Sequence, residues 1–247
     1  MALLIRRPEK KKIRSPDGTM SITEHLEDLR RALIIAAIGW LVCSVAAWFF
    51  TVDLLHLIEA RAGVGRFVFF GPTGAFMLRL KIALFAGTLA ASPVIFWQIW
   101  WFVSPGLHTH EKRIVLPLIA ATTFFFLLGV SFCFYALPLV IHVLTGFAPD
   151  SVLQFIPSGD DFLGFLLVFC LAFGLVFELP VVLWTLGMLK IVSSRWLWST
   201  RLYWFVGLGL LSNVMTPGAD PLTPLIIFAP LLVFYLGTTL LLRITGR

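Results

Sequence analysis

Residues 162–189 read FLGFLLVFCLAFGLVFELPVVLWTLGML, and this stretch decides the fold class. Between Asp161 and Lys190 the one charged residue is Glu178. At 1.5 Å per residue the run makes a helix of about 42 Å, longer than a hydrocarbon layer of about 30 Å. It lacks the alternating pattern of a transmembrane β-strand. A carboxyl at that depth is costly unless it faces a protein-lined or wet cavity, so Glu178 is the first candidate functional residue. The plainer alternative is a protonated acid that bonds a neighbouring helix.

The rest of the chain agrees with a lipid environment. Of its 247 residues 59% are hydrophobic and 13% charged, with a mean hydropathy of +0.95, more apolar surface than a soluble core of this size can bury. The expectation is an all-α integral membrane protein with six transmembrane helices, at about 32–50, 75–103, 114–144, 162–189, 202–216 and 224–242. The second to fourth must tilt, bend or protrude, whereas the fifth, about 22 Å long, and the Pro230-interrupted sixth imply local thinning of the bilayer. Pro93, Pro117, Pro138 and Pro180 each lack a backbone donor and favour kinks, which predicts a curved wall.

Basic residues predict the orientation. Arg6, Arg7, Lys10, Lys11, Lys12, Arg14, Arg30 and Arg31 precede the first span, Lys112 and Arg113 lie in the second loop, Lys190, Arg195 and Arg201 in the fourth, and Arg243 and Arg247 in the tail. Connections 145–161 and 217–223 contain no Lys or Arg. By the positive-inside rule both termini are cytoplasmic. Arg61, Arg66, Arg79 and Lys81 weaken the rule at the first outer loop, where long stems can snorkel to the interface. The net charge of +6 thus reports topology and anionic lipid, not nucleic acid. Residues 1–20 form a basic cytoplasmic tail expected to be disordered or lipid-bound, and 21–247 a single domain.

Chemistry-bearing motifs are scarce. Cys43, Cys133 and Cys170 lie inside apolar runs and imply no disulfide framework. His108 and His110 have no third ligand at metal spacing, so no metal or cofactor is expected. Walker, Gly-x-Ser-x-Gly and HExxH patterns are lacking, and no helix pairs a nucleophile with a base, so the chain reads as a non-enzyme. Pro180 leaves the Val176 carbonyl without its usual donor, which predicts a polar notch one turn before Pro180. Glu178 lies about 18 Å from Lys190 and about 26 Å from Asp161 along the helix, near the middle of the membrane. There it can hold a proton, donate a hydrogen bond or pair with an incoming cation.

Three ordered motifs carry a resemblance: His25-Leu-Glu-Asp-Leu-Arg-Arg31, Phe102-Val-Ser-Pro-Gly-Leu-His-Thr-His-Glu-Lys-Arg113 and Phe177-Glu-Leu-Pro180. Across about residues 20–243 the chain resembles the TatC family, six-helix receptors of the twin-arginine protein export system. The resemblance implies a glove-shaped bundle with a short final pair, in the cytoplasmic membrane, that binds twin-arginine signal peptides and exports folded proteins using the proton-motive force. Glu111 matches the family's loop acid, with Phe102 and Pro105 shaping the approach. Asp28 stands where the family usually has Glu, and adjacent Glu27 can share its role. Arg forms bidentate, charge-assisted bonds to carboxylates that Lys cannot copy.

The resemblance also implies partners: single-span TatA and TatB proteins, and further copies of this chain. Glu178, Pro180 and Gln98 are the expected intramembrane polar site for docking them. Pro72 and Phe76 carry over as shape residues of an outer cap, where Gly74 replaces the family's Glu, and Asp220 is displaced by one residue from the family's Thr-Pro-x-Asp. The competing function is a proton-coupled solute transporter with Glu178 as relay; the absence of an internal repeat weighs against it.

Overall fold

The structure is a computed structural model that describes residues 22–63, 67–68, 71–103, 115–146, 158–216 and 223–246. The basic segment 1–20, Pro105, His108, His110, Glu111 and Asp220 lie outside the described residues.

The described residues form helices α1 (Ile22–Trp48), α2 (Thr51–Ala62), α3 (Gly74–Val103), α4 (Val115–Thr145), α5 (Gly159–Val176), α6 (Leu179–Met188), α7 (Ser194–Ser199), α8 (Arg201–Met215) and α9 (Thr223–Ile244). Five segments are long and apolar enough to cross a membrane: α1, α3, α4, α5 with α6, and α9. The sixth expected span, α8, has 15 residues, or about 22 Å. α2 joins α1 to α3, and α7 joins α6 to α8. The two ends of the bundle are named here for these two helices.

Two elements depart from the sequence reading. α1 begins at Ile22, so the charged segment through Arg31 is helical, with Glu24 favourably placed against the positive helix end. The first connection contains α2, whose Thr51, Ile58 and Ala62 are buried with Leu54 and Leu55 partly buried, while Val52, Asp53, His56 and Leu57 face outward. That 3.6-residue periodicity buries one face only, so no long apolar run marks it.

α1 and α3 form an antiparallel pair held by close approach and one polar contact. Trp40 donates Nε1–H to Thr88 Oγ1 at 2.9 Å, and a Cβ on Gly87 would collide with the side chain and backbone of Ser44. Small residues permit such contact where no hydrophobic effect drives helices together. The central element is the α5–α6 segment, with 67% of its apolar window buried against 11% for α1. It packs antiparallel on α4, with Cys133 and Cys170 in thiol contact at 3.2 Å. All three cysteines are free, consistent with core filling.

The prolines act differently from one another. α3, α4 and α9 continue through Pro93, Pro138 and Pro230, and Pro117 sits in the first turn of α4, where a missing N–H costs least. The Leu89 carbonyl released by Pro93 accepts from Ser92 Oγ at 2.8 Å. The Phe134 carbonyl released by Pro138 accepts from Arg61 Nε at 3.5 Å, while Arg61 Nη2 donates to the Tyr135 carbonyl at 2.9 Å. In hydrocarbon such substitutes are what make an interior proline tolerable.

Arg61 therefore staples α2 to α4. Replacing it with Met removes the substitute donor of the Phe134 carbonyl and a further bond to that of Tyr135, and is expected to cost about 1–3 kcal/mol in detergent unfolding. In a Pro138→Ala background the restored N–H serves Phe134, so the cost of Arg61→Met falls by about 1 kcal/mol. Equal costs in the two backgrounds would remove the proline link from this account.

Among the described residues, Arg79 and Lys81 of the α2 end are also ligated instead of merely snorkelling. Lys81 Nζ pairs with Asp160 Oδ1 at 2.6 Å, and Arg79 donates Nε–H to Thr51 Oγ1 at 3.0 Å. Five helices, α1 to α5, are tied together at this end.

Candidate functional site

Pro180 occupies the first turn of α6, and the helix tightens ahead of it. The Glu178 amide bonds the Leu175 carbonyl at 3.1 Å, three residues back, and Glu178 itself has φ −74° and ψ −17°. This is a short 3₁₀-type turn, the arrangement expected where proline cannot continue the four-residue ladder. The turn leaves Glu178 as the residue before α6, aimed into the α4 side of the bundle, where its carboxyl lies beside the Phe126 backbone.

The walls there are aromatic. Phe177 meets Phe132 and Phe234 with ring centroids 5.5 and 4.6 Å apart, and Phe126 meets Phe96 at 5.4 Å. Glu178 is 8% exposed, and its Oε1 has no hydrogen-bond partner among the described residues. Leaving a buried polar atom unpaired costs about 1–3 kcal/mol, an expense that a docking polar group would offset. The site can accept or donate one strong hydrogen bond.

Gln98 is not brought to this carboxyl. Phe96 faces Phe126, and Gln98 lies two residues further on, about 200° round α3. It is half-buried, and its side chain makes no hydrogen bond among the described residues. Pro180, half-buried, does adjoin Glu178.

A second group forms at the α7 end, where α1 begins and α3 finishes. The imidazole of His25 stacks on the ring of Phe102, centroids 4.4 Å apart and planes at 22°. Asp28 follows His25 by three residues and so shares its helix face, with half-buried Leu29 and buried Ala32 continuing the stripe. Glu27 is exposed and lies about 200° round from His25. The structure thus separates two carboxylates that adjacency in sequence leaves equivalent: Asp28 is on the α3-facing stripe, Glu27 is not.

At the α2 end Pro72 is exposed, and the ring of Phe76 lies 5.7 Å from Trp48. Arg79 covers Trp48 with its guanidinium 4.9 Å from the ring centroid. Phe76 was among the candidates read from sequence, whereas Trp48, Arg61 and Arg79 were not. The unserved carbonyl four residues before Pro138 was the signal that pointed to such a donor.

Fold and sites together define a polytopic helical membrane protein whose polar chemistry is gathered at a buried carboxyl and at the two ends of its bundle. The family described as Sec-independent protein translocase protein (TatC) matches residues 24–230. A TatC protein of Carboxydothermus hydrogenoformans is 37% identical over 222 residues, 89% of this chain and 91% of that one. A chloroplastic TATC protein of Oryza sativa subsp. japonica is 32% identical, covering 96% of this chain and 67% of that one. A crystal structure of the twin-arginine translocase receptor TatC superimposes with a TM-score of 0.78 at 31% identity, over 88% of this chain and 99% of that one. The chain belongs to the TatC family, and it is a multi-pass membrane component of a twin-arginine protein translocase.

Proposed function

We propose that this chain is the receptor and scaffold subunit of its translocase, lodged in the cytoplasmic membrane with both termini cytoplasmic, α8 serving as a short sixth crossing and the helices forming a glove-shaped wall. The α7 end is then cytoplasmic and takes twin-arginine signal peptides. Glu111 and Asp28 accept the guanidinium groups, and Phe102 and Pro105 shape the approach. The observation that carries this reading is the meeting of Asp28's helix face with Phe102, two motifs more than 70 residues apart, at one end of the bundle.

Planar guanidinium matches a carboxylate in two parallel bonds, and the ammonium of Lys offers a point contact, so an acid pair at this end favours Arg over Lys. Glu178 and Pro180 receive a polar group of the signal's apolar segment or of a single-span TatA or TatB partner. Gln98 belongs to a separate contact on α3. Pro72, Phe76 and Asp220 form the outer cap, further copies of the chain complete the receptor, and the proton-motive force drives export of the folded cargo.

The test is photocrosslinking from positions flanking Glu111 to a precursor with an Arg-Arg signal and to its Lys-Lys version. The Arg-Arg precursor is expected to label and the Lys-Lys version to lose most of that labelling. Equal labelling of both by correctly inserted protein would defeat the receptor reading and turn attention to solute transport through Glu178.

A further inference from the structure

We propose that His25 is a specificity-determining residue of the signal site: its ring, backed by Phe102, is a flat platform on which one guanidinium of the arginine pair stacks while Asp28 accepts its N–H groups. This rests on the receptor reading and adds to it a residue and a mode of contact. The stack holds His25 with its plane nearly parallel to the Phe102 ring at 4.4 Å, and Phe102 itself is half-buried at the end of α3, so His25 is backed by a fixed surface. His25 is exposed, and Asp28 is one turn along the same face of α1. An aromatic plane with a carboxylate one turn away matches the two properties of guanidinium that ammonium lacks, a flat π-face and a fork of coplanar donors.

The same chain uses this chemistry elsewhere. At the α2 end the Trp48 ring lies against Phe76 on one contact and under the Arg79 guanidinium on another, while Arg79 donates to an oxygen of Thr51. Among the described residues all three cation–ring contacts, Arg61 on Tyr135, Arg79 on Trp48 and Arg201 on Trp198, are made by arginine, whereas Lys81 goes to a carboxylate. A ring pair that accepts guanidinium from outside the chain is the same arrangement with a supplied cation.

The experiment measures binding of two fluorescent synthetic signal peptides, Arg-Arg and Lys-Lys, to membrane vesicles that carry the full chain with its translocase partners. Wild type, His25→Ala and His25→Phe are compared. His25→Ala is expected to weaken the Arg-Arg peptide about two- to five-fold with little effect on Lys-Lys, so the Arg-to-Lys ratio falls by that factor; His25→Phe restores the ratio. An unchanged ratio in His25→Ala, or equal loss for both peptides, overturns the platform. A wild-type protein with no preference between the peptides overturns the receptor reading, and the platform with it.

Discussion

Glu178→Met is expected to slow export about five- to thirty-fold while raising the protein's resistance to unfolding in detergent. The carboxyl Oε1 is buried without a partner, so replacing it with an apolar chain of similar length removes a penalty of about 1–3 kcal/mol. On the proposed docking role, the same change also removes the carboxyl that a guest at the α5–α6 turn would bond. A hydrogen bond between membrane helices contributes about 1–2 kcal/mol, which at 1.4 kcal/mol per decade gives the stated loss in transport. Glu178→Gln keeps shape and hydrogen-bonding capacity and is expected to retain most activity. Export of a folded twin-arginine precursor into vesicles, with thermal unfolding of each purified variant, checks both halves. Undiminished export by Glu178→Met would leave the carboxyl without a role in transport.

Gly129→Ala is expected to be the more destabilising of the two glycine-to-alanine substitutions at the contact of α4 with α5. A Cβ there would lie 2.5 Å from the Phe173 carbonyl oxygen and 2.9 Å from Phe177 Cβ, so backbone must yield. Overpacking of that kind costs about 1–3 kcal/mol, and the backbone contact puts this site near the upper figure. Gly174 faces the Phe126 ring edge at 2.6 Å, and because a ring can swing more readily than a carbonyl, Gly174→Ala should cost less. Gly237, with open space around it in α9, is the control: alanine there is neutral or gains up to about 1 kcal/mol from helix propensity. Since Gly129 meets the segment that ends in Glu178, forcing α4 and α5 apart should also reduce export. Thermal unfolding of the three variants in one detergent gives the ranking, and a Gly174→Ala loss exceeding that of Gly129→Ala would contradict it.

Most of the bundle was legible because membrane helices announce themselves by length. The expected spans at 75–103 and 114–144 match α3 and α4 to within a residue at each end. α2 was not legible, since it buries one face and has no apolar run. The end of α6 was also legible, the expected span closing at Leu189 and α6 at Met188, but from the charge of Lys190 and not from a glycine. It closes with Lys190 at φ 58°, its amide bonding the Gly187 carbonyl at 3.1 Å and that of Ile191 bonding Leu186 at 3.0 Å. That is a Schellman cap in which lysine occupies the left-handed position usually taken by glycine, so the cap geometry itself is not written in the letters. The turn at Glu178, by contrast, followed from Pro180.

The candidate site divides in the same way. Pro180 and a lone acid in an apolar run are local facts, and they marked Glu178 without any knowledge of its neighbours. Whether that acid finds a partner depends on which residues of α4 face it, and helix rotation about its own axis is set by packing. The amino-acid sequence by itself determined the solvent, the long spans and the residues able to carry charge into them, because the bilayer leaves a chain few ways to satisfy its backbone. Only the tertiary structure decided that Arg61 serves the carbonyl freed by Pro138, that Gln98 turns away from Glu178, and that Asp28 shares with His25 the face that meets Phe102. These depend on crossing positions between helices distant in sequence, where a displacement of one residue rotates a side chain by 100° and places it on another face.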